Sequence, residues 1–277
     1  MLLRWVDAFT ERPFSGNQAA VCLTKEPRRA AWMQALAAEL GAPTTAFVGP
    51  LGEGFSLRWF TPQAELELCG HATLAAAHVL WEDDWLDPAR PAHFTTRGGR
   101  LVARRRPGTV ELDLPARLPE PGQASPAMLQ ALGLPAPAVH RTATYHGSTL
   151  LLELDGEERV RSLRPAFEAL RRADADHVIV TARAAGGNAD FVSRVFAPAV
   201  GIDEDAVTGS AHCLLGPYWA PRLGRADLIG RQLSKRGGRV LVMVGGDRVT
   251  LGGGAVTVLR ATFAGEVLQA GEPALAH

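Results

Sequence analysis

The pattern of apolar and polar positions along the chain predicts a small set of elements. Met1-Leu2-Leu3-Arg4-Trp5-Val6-Asp7 reads as a strand, because Asp7 breaks the apolar run too soon for a secretory signal. Phe55-Ser56-Leu57-Arg58-Trp59-Phe60-Thr61-Pro62 reads as an alternating strand that runs into a proline turn. Amphipathic helices are predicted at Arg29–Leu40, stopped by Gly41, and at Pro165–Arg172. Two further helices, from Ala72 to Leu80 and from Ala211 to Trp219, are apolar on nearly every face. A helix without a polar stripe has to be surrounded, most simply by its own sheet.

These elements recur. Phe55–Pro62 is echoed by Phe191-Val192-Ser193-Arg194-Val195-Phe196-Ala197-Pro198, and Thr96-Arg97-Gly98-Gly99-Arg100 by Lys235-Arg236-Gly237-Gly238-Arg239. Gly70 to Gly209, Gly98 to Gly237 and Val110 to Val249 are each separated by 139 positions, for example 209 − 70 = 139. Each copy has the order strand, proline turn, acidic loop, Gly-led helix, Gly-Gly hairpin and two strands. The expected fold is α+β, with two similar domains related by internal duplication. Each domain is a curved, barrel-like mixed sheet wrapped round a central helix. The segment from Pro115 to Pro126, with four prolines, is the candidate linker, which gives domains at 1–118 and 119–277. The strand near 256–263, in the segment 256–272, fits either domain.

Charge and cysteine content narrow the function classes. Twenty-nine basic and 29 acidic side chains cancel, leaving no electrostatic footprint for nucleic acid or an anionic membrane. Arg104-Arg105-Arg106 and Arg171-Arg172 read as solvated faces. Cys22, Cys69 and Cys213 are too scattered for a disulfide framework, and no CxxC pair suggests a metal site. No stretch has the length and apolarity of a membrane span, so the cytoplasm is the expected compartment.

The candidate chemistry lies at the two Gly-led helix starts, Cys69-Gly70-His71-Ala72 and Thr208-Gly209-Ser210-Ala211. A helix N-terminus offers unpaired N–H groups and about half a positive charge, and glycine allows a ligand close to the backbone. The pair implies one cleft between the domains that grips a small anion, most simply a carboxylate. Ionisable or nucleophilic residues gather at both starts: Glu65, Glu67, Cys69 and His71 at one, and Asp203, Glu204, Asp205, Thr208, Ser210 and His212 at the other. Glu67, Asp203 and Glu204 read as residues placed to suit the helix dipole. His71 and Asp205, one in each half, suit acid/base work. The other histidines, His78, His93, His140, His146, His177 and His277, read as structural or exposed.

At these residues the chain resembles the PhzF-like family, the phenazine-biosynthesis isomerase group of the diaminopimelate-epimerase-like fold. The matching segments are Asp7-Ala8-Phe9-Thr10, Gly16-Asn17-Gln18-Ala19-Ala20-Val21, Leu57–Pro62, Leu68-Cys69-Gly70-His71-Ala72-Thr73 and Asp205–His212. The resemblance implies a homodimer that works without metal or organic cofactor, with a site between two domains of similar fold. It also implies proton shuttling on a small carboxylate by a glutamate, assisted by a histidine, an aspartate and a serine. By motif these three are His71, Asp205 and Ser210, while Asn17, Gly70, Ala72, Thr208 and Gly209 hold the substrate.

One departure stands out. The family's glutamate lies in a Ser-Glu-Thr-x-Phe segment, which here reads Pro43-Thr44-Thr45-Ala46-Phe47, so Thr44 stands at its position. A hydroxyl does not shuttle protons near neutral pH, and no Glu lies between Gly41 and Leu51. Three readings stay open: an isomerase in which Asp205 or His71 replaces the glutamate, a carboxylate-binding protein without turnover, or an epimerase or dehydratase that depends on Cys69. Gln18 and Ala206 replace two family prolines and read as neutral. A substrate, and a place in phenazine synthesis, do not follow from motifs of this kind.

Overall fold

The computed structural model describes residues 1–146, 148–265 and 267. The side chains of Pro137 and His140, and residues 268–277, lie outside the description, and with them the readings of His140, His277 and segment 268–272. The chain begins with β1 (Leu2–Ala8), β2 (Asn17–Leu23), α1 (Ala30–Leu40), β3 (Thr45–Leu51), β4 (Gly54–Phe60) and β5 (Glu65–Leu66). It continues with α2 (Gly70–Glu82), β6 (Ala92–Thr96), β7 (Gly99–Arg106), β8 (Thr109–Pro115), β9 (Glu120–Pro121), α3 (Pro126–Leu132), β10 (Val139–Tyr145) and β11 (Thr149–Leu154). Then come α4 (Glu157–Ser162), α5 (Phe167–Leu170), β12 (His177–Arg183), β13 (Phe191–Ala197), β14 (Ile202–Asp205) and α6 (Gly209–Leu223). The last strands are β15 (Asp227–Gln232), β16 (Gly238–Gly245), β17 (Arg248–Gly253) and β18 (Ala255–Thr262). Two compact units result: Met1–Asp113 with the segment that starts at Gly252, and Leu114–Leu251.

In the first unit β1 pairs antiparallel with both β18 and β2, β2 runs parallel to β3, and β3 pairs antiparallel with β4. β4 then pairs antiparallel with β5 and parallel with β6, and β6, β7 and β8 follow as antiparallel neighbours. The second unit uses the same alternation: β10 antiparallel to β9 and β11, β11 parallel to β12, and β12 antiparallel to β13. β13 is antiparallel to β14 and parallel to β15, and β15 is antiparallel to β16. A parallel pair needs a crossover of a dozen or more residues, usually helical. Each parallel pair has one: α1 after β2, α2 after β4, α4 and α5 after β11, and α6 after β13.

Strands buried along almost their whole length need cover on both faces. For β2, α1 supplies one cover through Trp32, Met33 and Leu36 against Ala20, Cys22 and Phe47. The central helix α2 packs on β1, β2, β3 and β7, with 11 of its 13 residues buried. Leu74 and Leu80, both 0% exposed, contribute roughly 1.5–3 kcal/mol each by burial, and Leu74→Ala is expected to cost roughly 2–5 kcal/mol. In the second unit Met128, Leu132, Val160 and Leu170 from α3, α4 and α5 cover Leu150, Leu152, Val178 and Val180, while α6 packs on β15 and β16.

Two prolines sit inside α6, at 217 and 221. Pro217 has no N–H to give to the Cys213 carbonyl, which instead accepts a 2.9 Å bond from Arg117 N. The helix thus runs on to Leu223, and the freed carbonyl anchors the segment after β8. That segment is not the bare linker its prolines suggest, since it also carries β9 and enters α3. Ser125 caps α3 by accepting from Met128 N at 3.1 Å, with Pro126 in the first turn and Gly133 in the left-handed conformation after the last. The helix expected at Pro165–Arg172 shrinks to the four residues of α5, because Ala166 leaves helical geometry (ψ 88°) and donates to the Ala131 carbonyl at 2.8 Å. Among the described residues, no helix is long and apolar enough to cross a membrane.

Candidate functional site

The first helix start is built from β2, the turn before β3, and α2. Cys69 is the N-cap of α2, with extended backbone (φ −144°, ψ 104°) and no side-chain cap bond. Its sulfur lies 3.5 Å from His71 Nδ1 and 3.8 Å from Nε2, and its S–H points to Thr44 Oγ1 at 3.7 Å. Asn17 Nδ2 reaches His71 Nδ1 at 3.2 Å. Thr73 Oγ1 donates to the Cys69 carbonyl at 2.6 Å, closing the first turn from within. Asn17, Thr44, Cys69 and His71 are all buried.

This setting changes the thiol. Burial, the largest single influence, pushes the Cys69 pKa up, while the adjacent His71 ring pulls it down by charge and by hydrogen bond. The Ala72 N–H and Thr44 add to that effect, and the net direction is down. In the other two cysteines burial prevails: Cys213 is pushed up to about 12 against the weaker pull of Arg117 and Arg248, and Cys22 is pushed up as well.

The second helix start is assembled from β14, α6 and the end of β15. Thr208, the N-cap, donates its hydroxyl to Asp205 Oδ2 at 2.6 Å. Gln232, 0% exposed at the end of β15, braces the turn from behind. Its Oε1 accepts from Thr208 N at 2.9 Å, and its Nε2 donates to the Asp205 carbonyl at 2.8 Å and to Thr208 Oγ1 at 3.2 Å. Ser210 is half-buried as the second residue of α6. His212 Nδ1 donates to the Thr208 carbonyl at 2.8 Å, the counterpart of the Thr73 bond in α2. Burial lowers the His212 pKa to about 4, against the smaller upward pull of that bond, so the ring stays neutral. A Cβ on Gly230 would stand 2.8 Å from His212 Cδ2 and closer still to the Phe191 ring, so this position of β15 takes glycine.

Asn17, Thr44, Cys69 and His71 thus come together at one helix start, with Gly70 and Ala72 in its first turn. Asp205 and Thr208 come together at the other, with Gly209 and Ser210 leading α6. Gln232 escaped the sequence reading because glutamine at the end of a strand carries no motif. Glu204 also has a different role from the expected one, and Glu65 shares it. Arg58 grips Glu65 through Nε (2.7 Å) and Nη2 (2.8 Å), and Arg194 grips Glu204 in the same two-pronged way (2.7 and 2.8 Å). Glu204 is therefore half of an ion pair that holds the loop before α6, and Asp203 pairs with Arg171 at 2.8 Å. His78, read as structural, joins Thr257 at 3.2 Å. Among the described residues, no group of three or more His, Cys, Asp or Glu side chains is arranged to hold a metal ion.

The chain belongs to the PhzC-PhzF family of phenazine biosynthesis-like proteins, whose family model matches residues 6–261. It is 45% identical over 256 residues to a protein of Halalkalibacterium halodurans named an uncharacterized isomerase, covering 92% of this chain and 95% of the relative. An uncharacterized isomerase of Pseudomonas aeruginosa is 48% identical over 260 residues, covering 91% and 94% of the two chains. A PhzF-family phenazine biosynthesis protein of Enterococcus faecalis has a solved structure that superposes with a TM-score of 0.88 at 39% identity, covering 95% of this chain and 99% of that one.

Proposed function

We propose that this chain is an isomerase that moves a proton on a small carboxylate without a cofactor, with the carboxylate bound by the N–H groups leading α2 and α6. The observation that carries the reading is His71, buried in the first turn of α2 and bonded to Asn17 at 3.2 Å. It sets a proton-exchanging group beside backbone donors that favour an anion. Each helix start contributes roughly 0.3–1 kcal/mol to anion binding when exposed, and up to about 2 kcal/mol when partly buried. The relatives named isomerases support the reaction class. Thr44 takes the family glutamate's position in this reading, so Asp205 or His71 carries the proton. The 139-residue spacing and the shared strand alternation support an internal duplication, and family membership supports a homodimer.

The test is to offer the protein the family's dihydro-hydroxyanthranilate substrate in deuterated water and follow isomer formation and deuterium uptake by NMR. Exchange that disappears in Asp205→Asn or His71→Asn and survives in Cys69→Ala supports the proposal. The lowered thiol pKa favours a second reading, a Cys69-dependent epimerase or dehydratase, in which Cys69→Ala abolishes exchange. Binding without exchange, restored to exchange by Thr44→Glu, would instead mark a carboxylate-binding protein that lacks only its base.

A further inference from the structure

Asn17, the first residue of β2, is 1% exposed. Its backbone is fixed opposite Ala8 in the β1–β2 register. Gly16 before it has φ +68°, and a Cβ there would collide with the Ala8 carbonyl, so glycine is required for the chain to enter β2 at this angle. Asp7 Oδ2 accepts from Phe14 N at 2.7 Å and closes the preceding loop. The backbone is thereby fixed beside α2, and the side-chain amide presents Nδ2 to His71 Nδ1 at 3.2 Å.

An amide nitrogen has protons to give and no acceptor capacity. His71 Nδ1 must therefore accept, which places the proton of the neutral ring on Nε2. The neighbouring thiol fits this arrangement. Its S–H is directed to Thr44 Oγ1, so it does not compete for the Nδ1 lone pair, and its sulfur lies 3.8 Å from Nε2, where it can accept the ring N–H. We infer that Asn17 is a positioning residue that fixes His71 in the Nε2–H tautomer. In the proposed proton transfer His71 then serves as a hydrogen-bond donor through Nε2–H, and Asp205 is left as the group that takes the proton from the substrate and returns it. The assignment of these two roles rests on the proposed function, whereas the tautomer does not.

The full-length protein with ¹⁵N-labelled histidine reports the tautomer directly, with the His71 signals identified by their loss in His71→Gln. The expected wild-type spectrum has an unprotonated Nδ1 and a protonated Nε2. Asn17→Leu should give a mixture of tautomers, and Asn17→Asp, which can only accept, should move a proton onto Nδ1. A wild-type ring protonated on Nδ1 overturns the inference by itself, whatever the variants do. So does an Asn17→Leu protein that keeps the pure Nε2–H form. With an active substrate, Asn17→Leu should lower kcat by about 10²-fold and leave KM within about twofold, because a mis-set tautomer weakens the chemical step rather than binding. A rise in KM with kcat unchanged would return Asn17 to substrate binding and overturn the inference. Absence of turnover together with the predicted spectrum would sink the proposed function and leave the tautomer assignment standing.

Discussion

At the start of α2 the N-cap side chain is a thiol beside an imidazole, and at the start of α6 it is a hydroxyl already bonded to a carboxylate. The backbone is nearly the same: both N-caps are extended, neither side chain caps its helix, and the fourth helical residue, Thr73 or His212, bonds back to the N-cap carbonyl. The partners differ. The first start is faced by Asn17, which bonds the His71 ring, and by Thr44, which takes the Cys69 S–H. The second is clamped by Gln232, which occupies the Thr208 N–H, the Thr208 hydroxyl and the Asp205 carbonyl. One backbone design therefore carries a thiol beside an imidazole in one unit and a braced carboxylate in the other.

The largest expected effect comes from removing the groups that separate the two starts. His71→Asn or Asp205→Asn should lower the rate of solvent-deuterium exchange by about 10²–10⁴-fold, the usual loss with a positioned acid or base. Cys69→Thr, which gives the first start the second's N-cap, should keep most of that rate. Loss as large as that of His71→Asn would shift the chemistry to the thiol.

A second difference lies at the fourth residue of each helix, because Thr73 does not titrate and His212 does. The His212 pKa of about 4 lies below the ordinary value of 6.5, so the unfolded chain binds more protons between those two values. Stability from this group is complete above about pH 6.5 and is lost as pH falls towards 4, by about 3 kcal/mol in all. Urea unfolding from pH 7 to pH 4 should show that loss, and His212→Gln should shallow the slope. An unchanged slope would place the acid sensitivity elsewhere. A somewhat smaller effect is expected from Gln232→Leu, which leaves the buried Thr208 N–H without its acceptor. Urea unfolding should show roughly 1–3 kcal/mol of destabilisation, and a neutral result would mean the α6 turn holds without its brace.

How much of this was legible in the sequence depends on the range of the interactions. The helix starts were visible because Gly70 and Gly209 lie next to the groups they serve, and the repeat because it keeps one spacing. The all-round apolarity of Ala72–Leu80 announced a surrounded helix, and α2 is buried on 11 of its 13 residues. Contacts between residues far apart in the chain were not legible. Gln232 reaches Thr208 across 24 positions, and Asn17 reaches His71 across 54, with no local motif to mark either bond. Helix α3 was different, since its Ser125-Pro126 start and Gly133 stop are local signals that the count of prolines masked. The carbonyl left free by Pro217 became meaningful only when Arg117 was seen to bond it.

The smallest expected effect tests whether the loops before the two helices are as alike as their sequences. Each is held by an arginine of the preceding strand, β4 or β13, that grips a glutamate with two nitrogens and lies over a phenylalanine: Arg58 with Glu65 and Phe60 (5.2 Å), and Arg194 with Glu204 and Phe196 (5.0 Å). Their surroundings differ. The Arg58 side chain is 28% exposed, and its grip is shared with Arg97 on Glu65. The Arg194 side chain is 10% exposed, and its Nη1 also donates to the Leu163 carbonyl at 2.9 Å. Lysine keeps the charge of either residue but loses the planar fork. Arg194→Lys should therefore destabilise by about 1–3 kcal/mol, since the buried carbonyl loses its donor. Arg58→Lys should cost less than about 1 kcal/mol, as for a partly solvated pair. Thermal or urea unfolding of the two variants measures the gap. Equal losses would show that the fork alone sets the stability of both loops, and a reversed order would mean that Arg97 supports Glu65 more strongly than Leu163 supports Arg194.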